Sequence, residues 1–111
     1  MSEGDATEQE LIEIRDLASH PESVLTTTRV EYAFMGRNLT KADICDEIIA
    51  LIDAGERVKG TTLHSVPGML GQRAFEMKPR INDSLYYIKV VLQIPQGSNK
   101  TMLILSAHPN H

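Results

Sequence analysis

The sequence predicts an α+β domain in which N-terminal helices pack on a C-terminal antiparallel sheet. Three observations predict it. Up to Gly55 the apolar residues recur at helical spacing behind Thr-x-x-acid signatures, and after Gly55 they alternate with a period of two. The charge changes at the same place. Residues 1–56 hold four Lys/Arg against thirteen Asp/Glu, a net of −9, whereas residues 57–111 hold seven against two, a net of +5. The length of 111 residues, with 41% apolar content, suits one domain that can bury a core without staples.

Residues 1–6 are polar and acidic and read as a disordered tail ahead of a single domain, 7–111. Thr7 with Glu10 forms a capping box that opens a helix to about Ser19, with Leu11, Ile14, Leu17 and Ala18 at helical spacing. His20 and Pro21 end it. Residues 24–27 are a short β-prone stretch. Thr28 with Glu31 forms a second capping box, opening a short helix through Met35 with Gly36 at C′. Thr40 caps a third helix over 41–54, whose stripe is Ile44, Ile48, Leu51 and Ile52, and Gly55 closes it. Residues 57–63 read as a strand and 65–71 as a loop. Residues 73–81 alternate, Asn82-Asp83-Ser84 is a turn, and 85–94 is the clearest strand. A hairpin loop over 95–100 and a last strand over 101–108 complete the pattern.

Several function classes are excluded. The single Cys45 cannot form an intramolecular disulfide and fits a reducing compartment. No apolar run approaches the roughly 18 residues of a membrane span, so no membrane partner is expected. The start of the chain reads as neither signal nor transit peptide, and the expected location is the cytoplasm. There is no P-loop, nucleophile elbow or dinucleotide fingerprint, and no cofactor is expected. His108-x-x-His111 with Cys45 or His64 has loose spacing for zinc and lacks a paired CxxC, so no metal site is assigned. What the basic half does suggest is a polyanion partner.

Strand periodicity says which side chains can cooperate. In residues 85–94, Tyr86, Ile88, Val90, Leu92 and Ile94 face the helices, while Tyr87, Lys89 and Gln93 face away. In residues 73–81, Phe75, Met77, Pro79 and Ile81 share one face, and Glu76, Lys78 and Arg80 the other. One sheet face can therefore carry Lys59, Lys78, Arg80, Tyr87, Lys89 and His108.

The chain resembles the MqsR-type toxins of the RelE-like superfamily of messenger RNA endonucleases. The matching features are Val24-x-Thr26-Thr27, the helix Cys45-x-x-Ile48-Ile49-x-Leu51, Lys78-Pro79-Arg80, Tyr87-Ile88-Lys89, and a last strand ending Leu105 to His108. They span roughly residues 12–108. The resemblance implies a toxin of a type II toxin–antitoxin system that cleaves messenger RNA without a metal. Its implied partners are messenger RNA, a cognate antitoxin protein and the ribosome. Of the family's catalytic groups, the Tyr falls on Tyr87 and the first Lys on Lys59. The terminal Lys position holds His108, and the Gln position falls at Ala74, with Gln72 and Arg73 adjacent. The net acidity of the chain is a second departure from a usually basic family.

Metal-free RNA cleavage needs a base for the 2′-hydroxyl, charge stabilisation at phosphorus and an acid for the 5′-oxygen. His108 is the candidate base or acid, histidine being the residue whose charge changes near neutrality. Arg80 suits a forked phosphate contact, and Lys59 adds positive charge. Tyr87 orients the phosphate, or donates a proton if a nearby cation lowers its pKa. Lys78, Lys89, Arg73 and Gln72 are the candidate RNA-binding residues. The alternative is a protein- or nucleic-acid-binding module without catalysis.

Overall fold

The computed structural model describes residues 4–64, 66–93 and 99–109, with the Met35 side chain outside the description. Among the described residues, three α-helices cover one face of a seven-stranded mixed sheet. The elements are β1 (Gly4–Asp5), α1 (Glu8–Ala18), β2 (Val24–Thr26), α2 (Thr28–Met35), α3 (Lys41–Asp53), β3 (Lys59–Thr62), β4 (Arg73–Met77), β5 (Arg80–Ile81), β6 (Ser84–Gln93) and β7 (Thr101–Pro109). The sheet order is β1-β3-β4-β6-β7-β2, with β5 pairing β6 alone. The α+β reading holds. The purely antiparallel sheet does not, because β2 runs parallel to β7, with Val24 opposite Met102.

The caps act as the sequence suggests, with one shift. Thr7 and Glu10 reciprocate at the start of α1, and Thr40 and Asp43 at the start of α3. α2 is capped one residue earlier than expected. The Thr27 hydroxyl accepts from the Val30 amide, while Glu31 accepts from the Thr26 hydroxyl. Gly55, at φ +75°, follows α3 in the left-handed conformation that stops a helix.

The main core lies between the helices and the sheet. Ile14, Val24, Ile44, Cys45, Ile48, Ile88, Val90, Met102 and Ile104 are fully buried in it. Burial pushes the Cys45 thiol up to about 11, so it is a packing group rather than a nucleophile.

Gly4 and Asp5 correct the expectation of a disordered tail. They pair with Gly60 and Lys59 of β3, and the Arg73 guanidinium donates to both of their carbonyls. Residues 1–3 lie outside the described residues, as do Ile94, most of the 95–100 loop and His111.

The outward sheet face is not all solvated. Residues 66–72 fold back on it, and Val66 and Met69 cover a second small core of Leu63, Ala74 and Val91, joined by Leu105. The turn is held by Leu63 N–H to the Gln72 carbonyl and Gly71 N–H to the Leu63 carbonyl, both at 2.9 Å.

The expected strand over 73–81 breaks at Lys78-Pro79. Proline has no amide to donate, and its carbonyl instead accepts from Tyr86 N–H at 2.8 Å. β5 then turns into β6 through Asn82 and Asp83, at φ +50° and +66°. Two consecutive positive φ values in a two-residue loop make a type I′ hairpin, which prefers glycine at the second position. Asp83→Gly is expected to raise stability by about 0.5–1 kcal/mol. Chemical denaturation of the two proteins measures it, and a loss of stability would refute the assignment.

Candidate active site

The open half of the outward face is built from four strands. Lys59 of β3 lies opposite Glu76 of β4, Glu76 opposite Lys89 of β6, and Lys89 opposite Ser106 of β7. One step along, Tyr87 lies opposite His108. Directly opposed side chains start about 4.5–5.5 Å apart, so these six residues form one contiguous patch.

His108 reaches this face only because of an irregularity in β7. Pairing steps from Lys89–Ser106 to Val90–Ile104, which leaves Leu105 as an extra residue. A bulge of one residue reverses the alternation beyond it. Met102 and Ile104 face the core before the bulge, and Ala107 does so after it. Strict alternation from Ile104 would have turned Ser106 and His108 inward.

Glu76 is the hub. Its Oε2 accepts from the Tyr87 hydroxyl at 2.7 Å and lies 3.9 Å from Lys89 Nζ. Both side chains are about four-fifths buried. Burial, then the bond to Glu76, push the Tyr87 phenol well above its usual range. Tyr87 thus remains a protonated donor to Glu76. Among the described residues no cation draws it down, so the condition set for proton donation by Tyr87 is not met here. The Tyr87 ring instead supports His108, with ring centroids 5.5 Å apart and planes inclined by 27°. His108 Nδ1 lies 3.0 Å from the Pro109 carbonyl. A carbonyl only accepts, so Nδ1 carries the hydrogen and Nε2 is left for other work.

The remaining predicted residues divide. Lys59 and Lys78 line a groove of about 270 Å³ with Leu51, Glu56, Arg57 and Glu76. It runs beside a second hollow of about 350 Å³ that Lys78 shares with Arg80, Pro79 and Leu85. Arg80 donates to the Asp83 carbonyl at 3.5 Å and belongs to this groove rather than to the Tyr87–His108 pair. Lys59, Lys78 and Arg80 form no ion pair among the described residues.

Arg73 is on the opposite, helix-side face. It holds Glu10 at 2.8 Å and stacks over Phe75 at 5.3 Å. Its role as an RNA contact is replaced by that of a clamp for α1 and β1. Gln72 is exposed at the end of the 66–72 turn, and the adjacent Ala74 is buried beneath that turn.

The acidic half neutralises part of the basic half. Arg57 pairs with Asp5, Arg73 with Glu10 and Lys100 with Glu13. The cations left over are those at the Glu76 end of the sheet. The alternative zinc set loses Cys45, whose thiol is fully buried in the main core, and His111 lies outside the described residues.

Sequence reasoning missed Glu76 and Ser106. Glu76 carried a signal, since it is one of only two acids in residues 57–111 and shares the face of Lys78 and Arg80. Ser106 carried none, because the bulge decides where it points. Among the described residues, no helix is long and apolar enough to cross a membrane. Comparison of the chain with protein families, with curated proteins and with solved structures gave no match.

Proposed function

We propose that this chain is a metal-independent endoribonuclease acting on messenger RNA, the toxin of a toxin–antitoxin pair. One observation carries the reading. On either side of Tyr87, Glu76 and His108 each have one polar atom held and one with no hydrogen bond among the described residues: Glu76 Oε1 and His108 Nε2.

The pair suits in-line cleavage. Glu76 Oε1 takes the proton of the 2′-hydroxyl. The 2′-oxygen bonds to phosphorus, and the bond from phosphorus to the 5′-oxygen breaks. Protonated His108 gives its Nε2 hydrogen to that leaving oxygen. The products are a 2′,3′-cyclic phosphate and a 5′-hydroxyl. Lys89 and Lys59 face the charge that grows on the phosphorane. Tyr87 holds Glu76 and supports the imidazole, which makes it a positioning residue. Lys78 and Arg80 lead the RNA strand along the groove. An antitoxin that covers this face needs acidic groups or an added strand at an edge such as β2.

A binding module without catalysis is the second reading. It is favoured by the Glu76 carboxylate already having Tyr87 and Lys89 as neighbours. Salt titration and product analysis separate the two. RNA binding is expected to weaken as salt rises, and Lys59→Glu and Lys78→Glu each to lower the salt slope by about 0.7, the share of one single-strand phosphate contact. Binding with cleavage supports the nuclease, and binding with intact RNA supports the module. Salt-indifferent binding refutes RNA recognition by this face and leaves only a protein-binding module.

A further inference from the structure

The edge of β7 beside His108 has a feature that acid–base chemistry does not use. β2 pairs with β7 only along Met102, Leu103 and Ile104. Beyond Ile104, α2 takes the place of a strand, because it starts directly after β2. A helix cannot fill a sheet edge as a strand does. A pocket of about 160 Å³ remains between Arg29, Val30 and Ala33 of α2 and Ser106, Ala107 and His108 of β7.

Its surface is almost wholly apolar. Val30 and Ala107 form its floor at 1% and 3% exposure. Its volume is about half of the roughly 300 Å³ at which pockets for drug-sized ligands begin. It therefore suits one flat ring and not a folded cofactor. His108 belongs both to the pocket wall and to the proposed acid–base pair, which sets the pocket beside the place of the scissile phosphate in that reading.

Arg29 of the pocket wall is exposed, and Tyr32, one turn further along α2, is 70% exposed. With Ala33 they lie at helical spacing on one stripe of α2. Guanidinium and aromatic side chains are the groups on which unpaired RNA bases stack.

We infer that this pocket is a nucleobase subsite. The base next to the scissile phosphate sits between α2 and β7 on Val30, Ala33 and Ala107, with Arg29 at its polar edge. The inference rests on the ribonuclease reading and supplies its specificity. Arg29 offers only donors, so it reads a base that presents acceptors. Guanine, with O6 and N7, is the best match.

The test has a binding arm and a cleavage arm. In the first, the alanine methyl groups are followed by NMR while the protein is titrated with each nucleoside 3′-monophosphate and with ribose 5-phosphate. Guanosine 3′-monophosphate is expected to shift the Ala33 and Ala107 methyls. Arg29→Ala, at an exposed position, and Ala33→Leu, which fills the pocket, are each expected to weaken this binding about tenfold, within the range of one base stack. Equal shifts with ribose 5-phosphate overturn the subsite, and a preference for another base overturns readout by Arg29. In the second arm, relative cleavage rates across RNAs that differ at the flanking base are expected to converge in both variants. Unchanged relative rates overturn the inference. Methyl shifts with no cleavage by the wild type would remove the nuclease reading and leave the subsite standing. Cleavage without methyl shifts would do the reverse.

Discussion

His108→Ala is expected to slow RNA cleavage by about 10²- to 10⁴-fold, the contribution of one positioned proton-transfer group. Glu76→Gln is expected to cost a similar factor. The amide oxygen still accepts from Tyr87, so the Tyr87 bond survives while the base is lost. His108→Lys keeps a protonated donor and should retain more activity than His108→Ala. Tyr87→Phe should cost less, about tenfold, because the ring stack on His108 remains and only the 2.7 Å bond to Glu76 goes. The Glu76→Gln, His108→Ala double variant should be little worse than either single one, since groups that act as a unit are not additive. Gel assays on labelled RNA give the rates, and end-group analysis should find 2′,3′-cyclic phosphates in the presence of EDTA. Cleavage that survives both single substitutions, or that stops with EDTA, would show that other groups do the chemistry.

Arg73→Ala is expected to destabilise the protein by about 2–3 kcal/mol at neutral pH. It removes a charge-assisted pair with Glu10, two bonds to the Gly4 and Asp5 carbonyls, and the stack over Phe75. The pH dependence identifies the cause. Burial alone would raise the Glu10 carboxyl, but the hydrogen bonds from Arg73 and Thr7 outweigh it and hold it below its ordinary 4.5. A carboxyl lowered by folding stabilises the protein above its unfolded value, and that contribution is lost as pH falls through the folded one. The gap between wild type and Arg73→Ala should therefore be full at pH 7 and narrow below about pH 4.5. Urea denaturation across this range measures it, and a gap that stays constant would assign the effect to packing alone.

Gly60 belongs to the same clamp. A Cβ there would meet the Gly4 carbonyl oxygen and come within 2.6 Å of the Arg73 guanidinium. Gly60→Ala is expected to cost about 1–3 kcal/mol on its own and less in the Arg73→Ala background, because part of the clash has then been removed.

By itself, the sequence determined the class of the fold and most of the elements. The Thr7 and Thr40 caps, the Ile44–Ile48–Leu51 stripe and the alternation from Tyr86 to Leu92 are local signals, and local backbone geometry answers to them. The same alternation brought Lys59, Tyr87 and Lys89 to one face. Tertiary structure alone decided three further things. β2 became a parallel edge strand because a three-residue stretch has no register of its own until β7 supplies one. Arg73, which the alternation already sets on the Phe75 side of β4, became a clamp because Glu10, 63 residues away in sequence, lies beside it only in the folded chain. His108 turned outward because Leu105 bulges from β7. A two-residue period carries no mark of where one extra residue enters a strand, and the pairing of β7 with β6 around Leu105 sets the face for every residue after it.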